Sequence, residues 1–234
     1  MIFVKIKKPY IDYLRSIESR IPKQDYGINS YKPFYIINLS DKSEVLYISQ
    51  LTSIKDRHNK MKDTIDFKKL FDARNGKTLG ATNLNYMFPI LEDYLERMNY
   101  KDILLIIKDK LKTKTLFIEK RIIENMNIDN DARKVYVNKY KCPKSSLSLR
   151  CIDFKFLEGK MIEFKLCEQF QKDIKVEQSK DYSTFFISTG NNRYKYSENI
   201  LNDIYGFVNN FNDKMIEEEL NNSIDCKKEN VREM

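Results

Sequence analysis

Residues 34–48, FYIINLSDKSEVLYI, carry the strongest fold signal in this chain of 234 residues. Two runs rich in β-branched and aromatic residues, 34–39 and 45–48, are separated by five polar residues. This pattern is typical of two strands that are joined by a longer turn. The sequence therefore predicts a β-hairpin over this stretch.

A second hairpin is predicted further along the chain. Asn75-Gly76, a dipeptide that strongly favours a tight hairpin turn, separates an apolar run at 67–71 from another at 79–86. We expect the second run to return antiparallel to the first.

Apolar residues at helical spacing surround these hairpins. The predicted helices are residues 10–17, 89–98, 101–126 and 129–140. The first has Pro9 in its first turn, the third is basic on its outer face, and Asp129 is the predicted cap of the last. Residues 2–6 are predicted to form a strand and residues 21–33 a loop. Residues 154–170 fit either a strand or a helix.

The composition changes after residue 170. Residues 1–170 carry a net charge of +11 and residues 171–234 carry −3. In the second part, a short hairpin is predicted around Gly190, and Ser197 is the predicted cap of an amphipathic helix before a polar end from residue 221. We therefore expect a domain at 1–170 and a C-terminal extension at 171–234.

The net charge of +8 and the pI of about 9.1 indicate a polyanionic partner, such as nucleic acid or a membrane surface. Because the positive charge lies in residues 1–170, we expect that part of the chain to bind the polyanion. The longest purely aliphatic run, Ile103–Ile107, is too short to span a membrane. The charged first ten residues do not resemble a secretory signal.

The four cysteines have neither a C-x-x-C pair nor a regular spacing. A chain of this length has no need of disulfides, so we interpret the cysteines as reduced thiols in a cytoplasmic protein. Neither a metal site nor a cofactor site is predicted.

The stretch that follows the first hairpin, LTSIKDRHNKM at residues 51–61, is the candidate chemical site. Metal-free cleavage of RNA needs a base for the 2′-hydroxyl, an acid for the leaving 5′-oxygen, and donors to the phosphorane oxygens. His58, with an ordinary pKa of about 6.5, can serve as acid or base at neutral pH. Thr52 and Ser53 can donate to a phosphate. The cations that could neutralise that phosphate are Lys55, Arg57 and Lys60.

Each of these residues also has a structural interpretation. A polar run after a strand is more often a solvated loop, and a lone histidine is more often structural than catalytic. Tyr26, Tyr31 and Lys32, in the loop before the first hairpin, could stack bases and bind phosphate. They could equally be ordinary surface residues.

The order and spacing of several short pieces resemble one known family. These pieces are Lys32-Pro33-Phe34, Leu51-Thr52-Ser53 with Lys55 and His58, Leu79-Gly80, Asn83-Leu84, Met87, Pro89-Ile90, Asp153-Phe154-Lys155 and Leu157-Glu158. Over residues 1–170 the chain resembles the endoribonuclease toxins of type III toxin-antitoxin systems, the ToxN and AbiQ group.

The resemblance implies an α+β fold with a compact antiparallel β core, barrel-like as in toxins of the MazF and CcdB type, decorated by helices. It implies metal-free RNA cleavage that leaves a 2′,3′-cyclic phosphate and a 5′-hydroxyl. It also implies inhibition by a repeat-derived, pseudoknot-like antitoxin RNA, which the toxin processes and binds in closed ring-like assemblies. Many members act in phage defence.

Carried over to this chain, the family's active site implies roles for Thr52, Ser53, Lys55 and Lys32, with His58 as support. The family also places a tyrosine there, for which Tyr26 and Tyr31 are both candidates. Ile54 stands where the family has proline, a change that removes no chemical group. The family ends near residue 170, so the resemblance does not explain 171–234, whose acidic charge argues against contact with RNA.

Two other functions fit the same residues. A non-catalytic RNA-binding module would use the stretch at 51–61 only to hold phosphates, and its affinity would fall steeply with salt. A type II toxin would instead be paired with a small protein antitoxin.

Overall fold

The computed structural model describes residues 2–27, 31–190 and 192–216, without the side chain of Asn59. The chain forms two compact units, Met1–Met161 and Ile162–Met234. None of the helices in the described residues is long and apolar enough to cross a membrane.

An antiparallel sheet forms the centre of the first unit. Its strands are β1 (Phe3–Ile6), β2 (Phe34–Ile37), β3 (Leu46–Ser53), β4 (Phe67–Asp72), β5 (Lys77–Asn83), β6 (Phe88–Ile90) and β7 (Leu95–Met98). The strand order is β4-β5-β3-β2-β1-β7, and β6 also pairs with β3. The predicted α+β class with an antiparallel core is confirmed. Within the described residues, the two outer strands β4 and β7 do not pair with each other, so the sheet is not a closed barrel.

β3 joins the parts of this sheet. On one side it pairs with β2, from Tyr47 opposite Ile37 to Gln50 opposite Phe34. On the other side it pairs first with β6 and then, through its last three residues, with β5. The predicted strand at 45–48 therefore continues to Ser53, because β5 supplies backbone partners for residues 51–53.

The chain up to residue 170 also forms helices. They are α1 (Lys8–Ile17), α2 (Asp56–Lys60), α3 (Tyr100–Ile107), α4 (Lys110–Glu124), α5 (Ile128–Lys141), α6 (Ser146–Arg150) and α7 (Phe154–Phe170). Large aromatic side chains fill the core. For example, Tyr10 of α1 stacks on Tyr94 at 4.7 Å between ring centroids, and its hydroxyl donates to the Pro89 carbonyl at 2.7 Å.

The predicted helix at 101–126 is wrong as a single element. Lys108 adopts a left-handed conformation, with φ of 54°, and ends α3. Asp109 then caps α4, because its Oδ1 accepts from the backbone N–H groups of Leu111 and Lys112. This break gives α4 its own starting point, independent of α3.

The predicted helix at 89–98 is also wrong. Residues Phe88–Ile90 pair with β3, and Leu95–Met98 pair with β1, with one 3₁₀ turn between them. Pro89 is tolerated in β6 because this short strand has a neighbour on one side only, so the missing N–H breaks no ladder. Asp129 is not the cap of α5, since that helix already begins at Ile128.

The second unit has its own small sheet of three antiparallel strands, β8 (Ile174–Gln178), β9 (Thr184–Thr189) and β10 (Asn192–Ser197). A helix over residues 204–216, α8, packs through Phe207 and Phe211 against Tyr194 and Tyr196. The predicted hairpin around Gly190 is confirmed.

The start of the predicted C-terminal helix differs from the structure, and its predicted end near residue 220 lies outside the described residues. A 3₁₀ turn over Glu198–Asn202 follows Ser197, whose side chain makes no capping hydrogen bond. Asp203 caps α8 instead, since its Oδ1 accepts from the Gly206 N–H at 2.9 Å. The predicted polar end from residue 221 lies outside the described residues. Residues 154–170, for which the sequence pattern fitted either a strand or a helix, form the helix α7.

Candidate active site

A cleft of about 380 Å³ in the first unit lies where the end of β3 faces α4. It is lined by Tyr31, Lys32, Leu51, Thr52, Ser53, Leu79, Ile107, Leu111, Lys112, Thr115, Leu116 and Glu119. The fold thus brings the loop residue Lys32 and the strand residues Thr52 and Ser53 to one place. All three were predicted from the sequence.

Thr52 and Ser53 are held by the backbone of the sheet. Thr52 is registered with Ala81, and Ser53 with Gly80, in the antiparallel pairing of β3 with β5. Ser53 is the last residue of its strand and is exposed, whereas Thr52 is half-buried. A strand end fixed in this way can present hydroxyl groups to a ligand without first having to be ordered.

Lys32 enters the cleft from the loop before β2. Burial lowers the pKa of its ammonium group from the ordinary value, and the nearby charge of Lys55 lowers it further, while Glu119 acts in the opposite direction. Its ammonium also lies over the ring of Tyr26, with Nζ 5.0 Å from the ring centroid. Lys32 is therefore a cation that gives up its proton more readily than a solvated lysine.

Glu119 of α4 is a residue of the cleft that the sequence did not predict. Its side chain is almost fully buried, at 5% exposure, and burial raises the pKa of its carboxyl to about 7, against the opposing effect of Lys32. The carboxylate lies against Gly80, and a Cβ at residue 80 would overlap it. In the sequence Glu119 lies in the run IEKR of a lysine-rich helix, where a glutamate looks like an ordinary surface residue.

His58 lies away from the residues that line the cleft and is 3% exposed. Its ring packs at 5.4 Å from that of Phe67. Nδ1 lies 3.2 Å from the backbone N of Lys55, and Nε2 lies 3.3 Å from Nε of Arg57. Burial, and then Arg57 and Lys55, lower the pKa of His58. Because both neighbours are donors, a protonated imidazole could accept from neither.

The other predicted cations follow Ser53 in and around α2. Lys55, Arg57 and Lys60 are exposed and are not among the residues that line the cleft. Lys55 is nevertheless close enough for its charge to lower the pKa of Lys32.

The two candidate tyrosines lie in different environments. The ring of Tyr31 lines the cleft, but its hydroxyl faces the Met98 sulfur at 3.1 Å, and burial raises the pKa of Tyr31 strongly. Tyr26 is 47% exposed and its hydroxyl donates to Gln50 Oε1 at 3.2 Å. Tyr31 thus contributes a ring surface to the cleft, and Tyr26 supports Lys32.

Part of the wall opposite the strand end is apolar, and Lys112 and Thr115 of α4 line the cleft beside it. The apolar part includes Leu111, which is 74% exposed, together with Leu116 and Ile107. The site therefore combines a polar end, with hydroxyls, a cation and an acid, and an apolar wall. This arrangement suits a ligand with both an anionic group and a flat apolar part. In the described residues, no group of three or more His, Cys, Asp or Glu side chains could hold a metal ion.

Comparison with known families gives one match. Residues 2–162 match the family described as toxin ToxN of type III toxin-antitoxin systems. No curated protein sequence matches the chain. The match ends where the second compact unit begins, at Ile162.

Solved structures with this fold include three that each cover 70% of the chain. A structure that concerns selective toxin inhibition by a non-coding RNA pseudoknot in bacterial type III systems is 24% identical, with a TM-score of 0.55 and 97% of its own chain covered. A second structure, of a bacterial antiviral system regulated by a processed non-coding RNA, is 25% identical, with a TM-score of 0.58 and 99% of its own chain covered. AbiQ, a lactococcal anti-phage endoribonuclease of a type III system, is 22% identical, with a TM-score of 0.58 and 96% of its own chain covered.

Proposed function

The chain belongs to the ToxN family of type III toxin-antitoxin toxins, and from this membership we propose that it is a metal-independent endoribonuclease toxin. The observation that best supports the proposal is the cleft that joins Lys32, Thr52 and Ser53 with Glu119, a buried acid whose pKa is about 7. Metal-free RNA cleavage needs groups of these kinds.

The proposed reaction is an attack of the ribose 2′-oxygen on the adjacent phosphorus. The Glu119 carboxylate takes the 2′-hydroxyl proton, since a carboxyl with a pKa near 7 is a competent base at neutral pH. The bond from phosphorus to the 5′-oxygen then breaks. The products are a 2′,3′-cyclic phosphate and a 5′-hydroxyl.

Lys32 is the proposed acid that protonates the leaving 5′-oxygen, because its lowered pKa makes the ammonium a better proton donor. Thr52 and Ser53 donate hydrogen bonds to the non-bridging oxygens, where negative charge increases in the transition state. Lys55, Arg57 and Lys60 attract the RNA backbone to the site by their charge. His58 stabilises the loop after β3 and takes no proton in the reaction.

The apolar wall supplies the place for a nucleobase next to the scissile phosphate. Leu111 projects into the cleft while remaining mostly exposed, and a base that packs on it would remove apolar surface from water. Selectivity among RNA sequences would follow from this contact.

The relatives also suggest the partner. One concerns a toxin inhibited by an RNA pseudoknot and another an antiviral system regulated by a processed RNA. We propose that this chain is likewise inhibited by a small, repeat-derived antitoxin RNA that it processes, in a cyclic assembly of toxin and RNA, and that it serves phage defence. Tandem repeats directly upstream of its coding sequence would support this partner, and a small adjacent reading frame would indicate a protein antitoxin.

The test is cleavage of a mixed RNA substrate by the purified protein and by Ser53→Ala and Lys32→Ala variants. The proposal expects cleavage by the parent and large losses in both variants, with unchanged circular dichroism. Binding that falls with salt but no cleavage of any RNA would identify a non-catalytic RNA-binding module instead.

A further inference from the structure

Gln50 is a buried polar residue on β3, two positions before Thr52, and it is 8% exposed. Its Nε2 donates to the carbonyl oxygen of Lys23 at 2.6 Å and to that of Lys32 at 3.0 Å. Its Oε1 accepts from the hydroxyl of Tyr26 at 3.2 Å. One amide therefore contacts three residues of the loop that carries Lys32.

The orientation of this amide follows from its partners. Backbone carbonyls can only accept, so the NH₂ group must face Lys23 and Lys32, which leaves the oxygen for Tyr26. Both amide hydrogens and the oxygen are thereby used. A side chain of similar volume without these groups would leave two part-buried carbonyls without their donor.

The same loop is also held at its base. The N–H of Lys32 donates to the Gln24 carbonyl at 3.1 Å, and Gln24 Oε1 accepts from the N–H of Ile6 at 2.6 Å. These contacts fix the backbone of residue 32 relative to β1. Only the Gln50 amide ties it to β3, the strand that presents Thr52 and Ser53, among the side-chain hydrogen bonds of the described residues.

Gln50 also acts on the side chain of Lys32 through Tyr26. The Lys32 ammonium lies over the Tyr26 ring, whose hydroxyl is held by Gln50. The amide thus sets both the backbone from which Lys32 extends and the ring on which its ammonium lies.

We propose that Gln50 is a positioning residue for RNA cleavage, which holds the Lys32 ammonium in register with the Thr52 and Ser53 hydroxyls. The inference rests on the proposed function. It assigns Gln50 no contact with RNA. A displacement of about 1 Å can lower a rate about 100-fold, so we expect a loss of up to about this size when the amide is removed.

The decisive experiment is a double-mutant cycle that combines Gln50→Met with Lys32→Ala. If Gln50 acts through Lys32, Gln50→Met lowers kcat in the parent and has little further effect in the Lys32→Ala variant. KM should change much less than kcat. Equal losses in both backgrounds would overturn the inference, since they would show that Gln50 matters independently of Lys32.

The matched control is Ser49→Ala on the same strand. Ser49 is also buried, at 2% exposure, and its hydroxyl donates to the Asn83 carbonyl at 3.0 Å, away from the loop. The substitution removes a buried hydrogen bond of β3 without touching Lys32. We expect Ser49→Ala to lower the melting temperature but to leave unchanged the ratio of kcat between proteins with and without the Lys32→Ala substitution.

A second readout does not depend on cleavage. Titration of the lysine side chains by NMR should show the pKa of Lys32 rising toward its ordinary value in Gln50→Met and staying lowered in Ser49→Ala, because release of the loop lets the ammonium return to water. A lowered pKa in both variants would overturn the positioning role. If the parent cleaves no RNA, the proposed function fails, and this titration still decides whether Gln50 positions Lys32.

Discussion

The Glu119 carboxylate occupies space that a side chain at residue 80 would need, and Gly80 is the backbone partner of Ser53 across β5 and β3. The missing Cβ of Gly80 thus lets an acid on α4 reach the strand end that carries the two hydroxyls. This relationship explains why a glycine lies within a paired strand, where it otherwise weakens the element.

Gly80→Ala is expected to lower cleavage strongly, because the added methyl group displaces the Glu119 carboxylate. The backbone of Gly80 has no positive φ, so an alanine can adopt its conformation, with a Cβ that would lie 3.0 Å from the Thr52 carbonyl oxygen. Steady-state kinetics would measure the loss. In a Glu119→Ala background, Gly80→Ala should lower kcat little further. If it lowers kcat there as much as in the parent, strain against the Thr52 carbonyl, and not displacement of the acid, is responsible.

The pH dependence of kcat should report the ionisation of Glu119. The deprotonated carboxylate is the proposed base, so the rate should rise as the pH increases through about 7. At higher pH the rate should fall again, where the Lys32 ammonium, the proposed acid, loses its proton. Glu119→Gln should remove this rising limb and leave a low rate with little dependence on pH near 7. A wild-type profile that is flat between about pH 5.5 and 8 would contradict the role of Glu119.

His58 should prove structural. His58→Ala leaves the part-buried N–H of Lys55 without its acceptor, which is expected to cost about 1 kcal/mol of unfolding free energy. His58→Asn, whose Oδ1 can take the place of Nδ1, should recover part of that loss. Chemical denaturation would measure both, and kcat of the folded variants should stay close to the parent's. A loss of kcat in His58→Asn as large as in Ser53→Ala would assign the histidine to the chemistry.

The pKa of His58 gives this stabilisation a pH dependence. The folded-state pKa is lowered relative to that of the unfolded chain, so the folded protein binds fewer protons. The contribution of His58 is therefore present at pH above about 6.5 and decreases as the pH falls through the lowered folded-state value.

Two leucines with nearly equal exposure offer a matched pair. Leu111 lines the cleft and is 74% exposed, whereas Leu105 of α3 is 73% exposed and does not line it. Leu111→Ala should raise KM and broaden the set of cleaved sequences, since it removes apolar contact with a base. Leu105→Ala should change neither. Sequencing of the cleavage ends would compare the two variants, and equal effects would argue against the apolar wall as a base-binding surface.

Part of this structure could be predicted from the sequence. The runs at 34–39 and 45–48 and the Asn75-Gly76 turn have local patterns that match the hairpins they form. β6 and β7 could not be predicted in this way. They are three and four residues long, β6 contains Pro89, and both strands exist because distant strands supply their partners.

The candidate site shows the same division. Thr52, Ser53 and Lys32 could be predicted because they lie in two short motifs whose order and spacing resemble those of the family. Glu119 could not, since its raised pKa arises from burial against Gly80, and that contact forms only when α4 packs on β5. The break at Lys108 and Asp109, which sets where α4 begins, could not be predicted either, because the helical spacing of apolar residues continues through it.

The most direct measurement is an end-group analysis of RNA incubated with the purified protein in the presence of EDTA. The account predicts fragments with 2′,3′-cyclic phosphate and 5′-hydroxyl ends, formed at the same rate with and without the chelator and lost in Lys32→Ala. Loss of cleavage on adding EDTA, or products with 5′-phosphate ends, would contradict the metal-free mechanism.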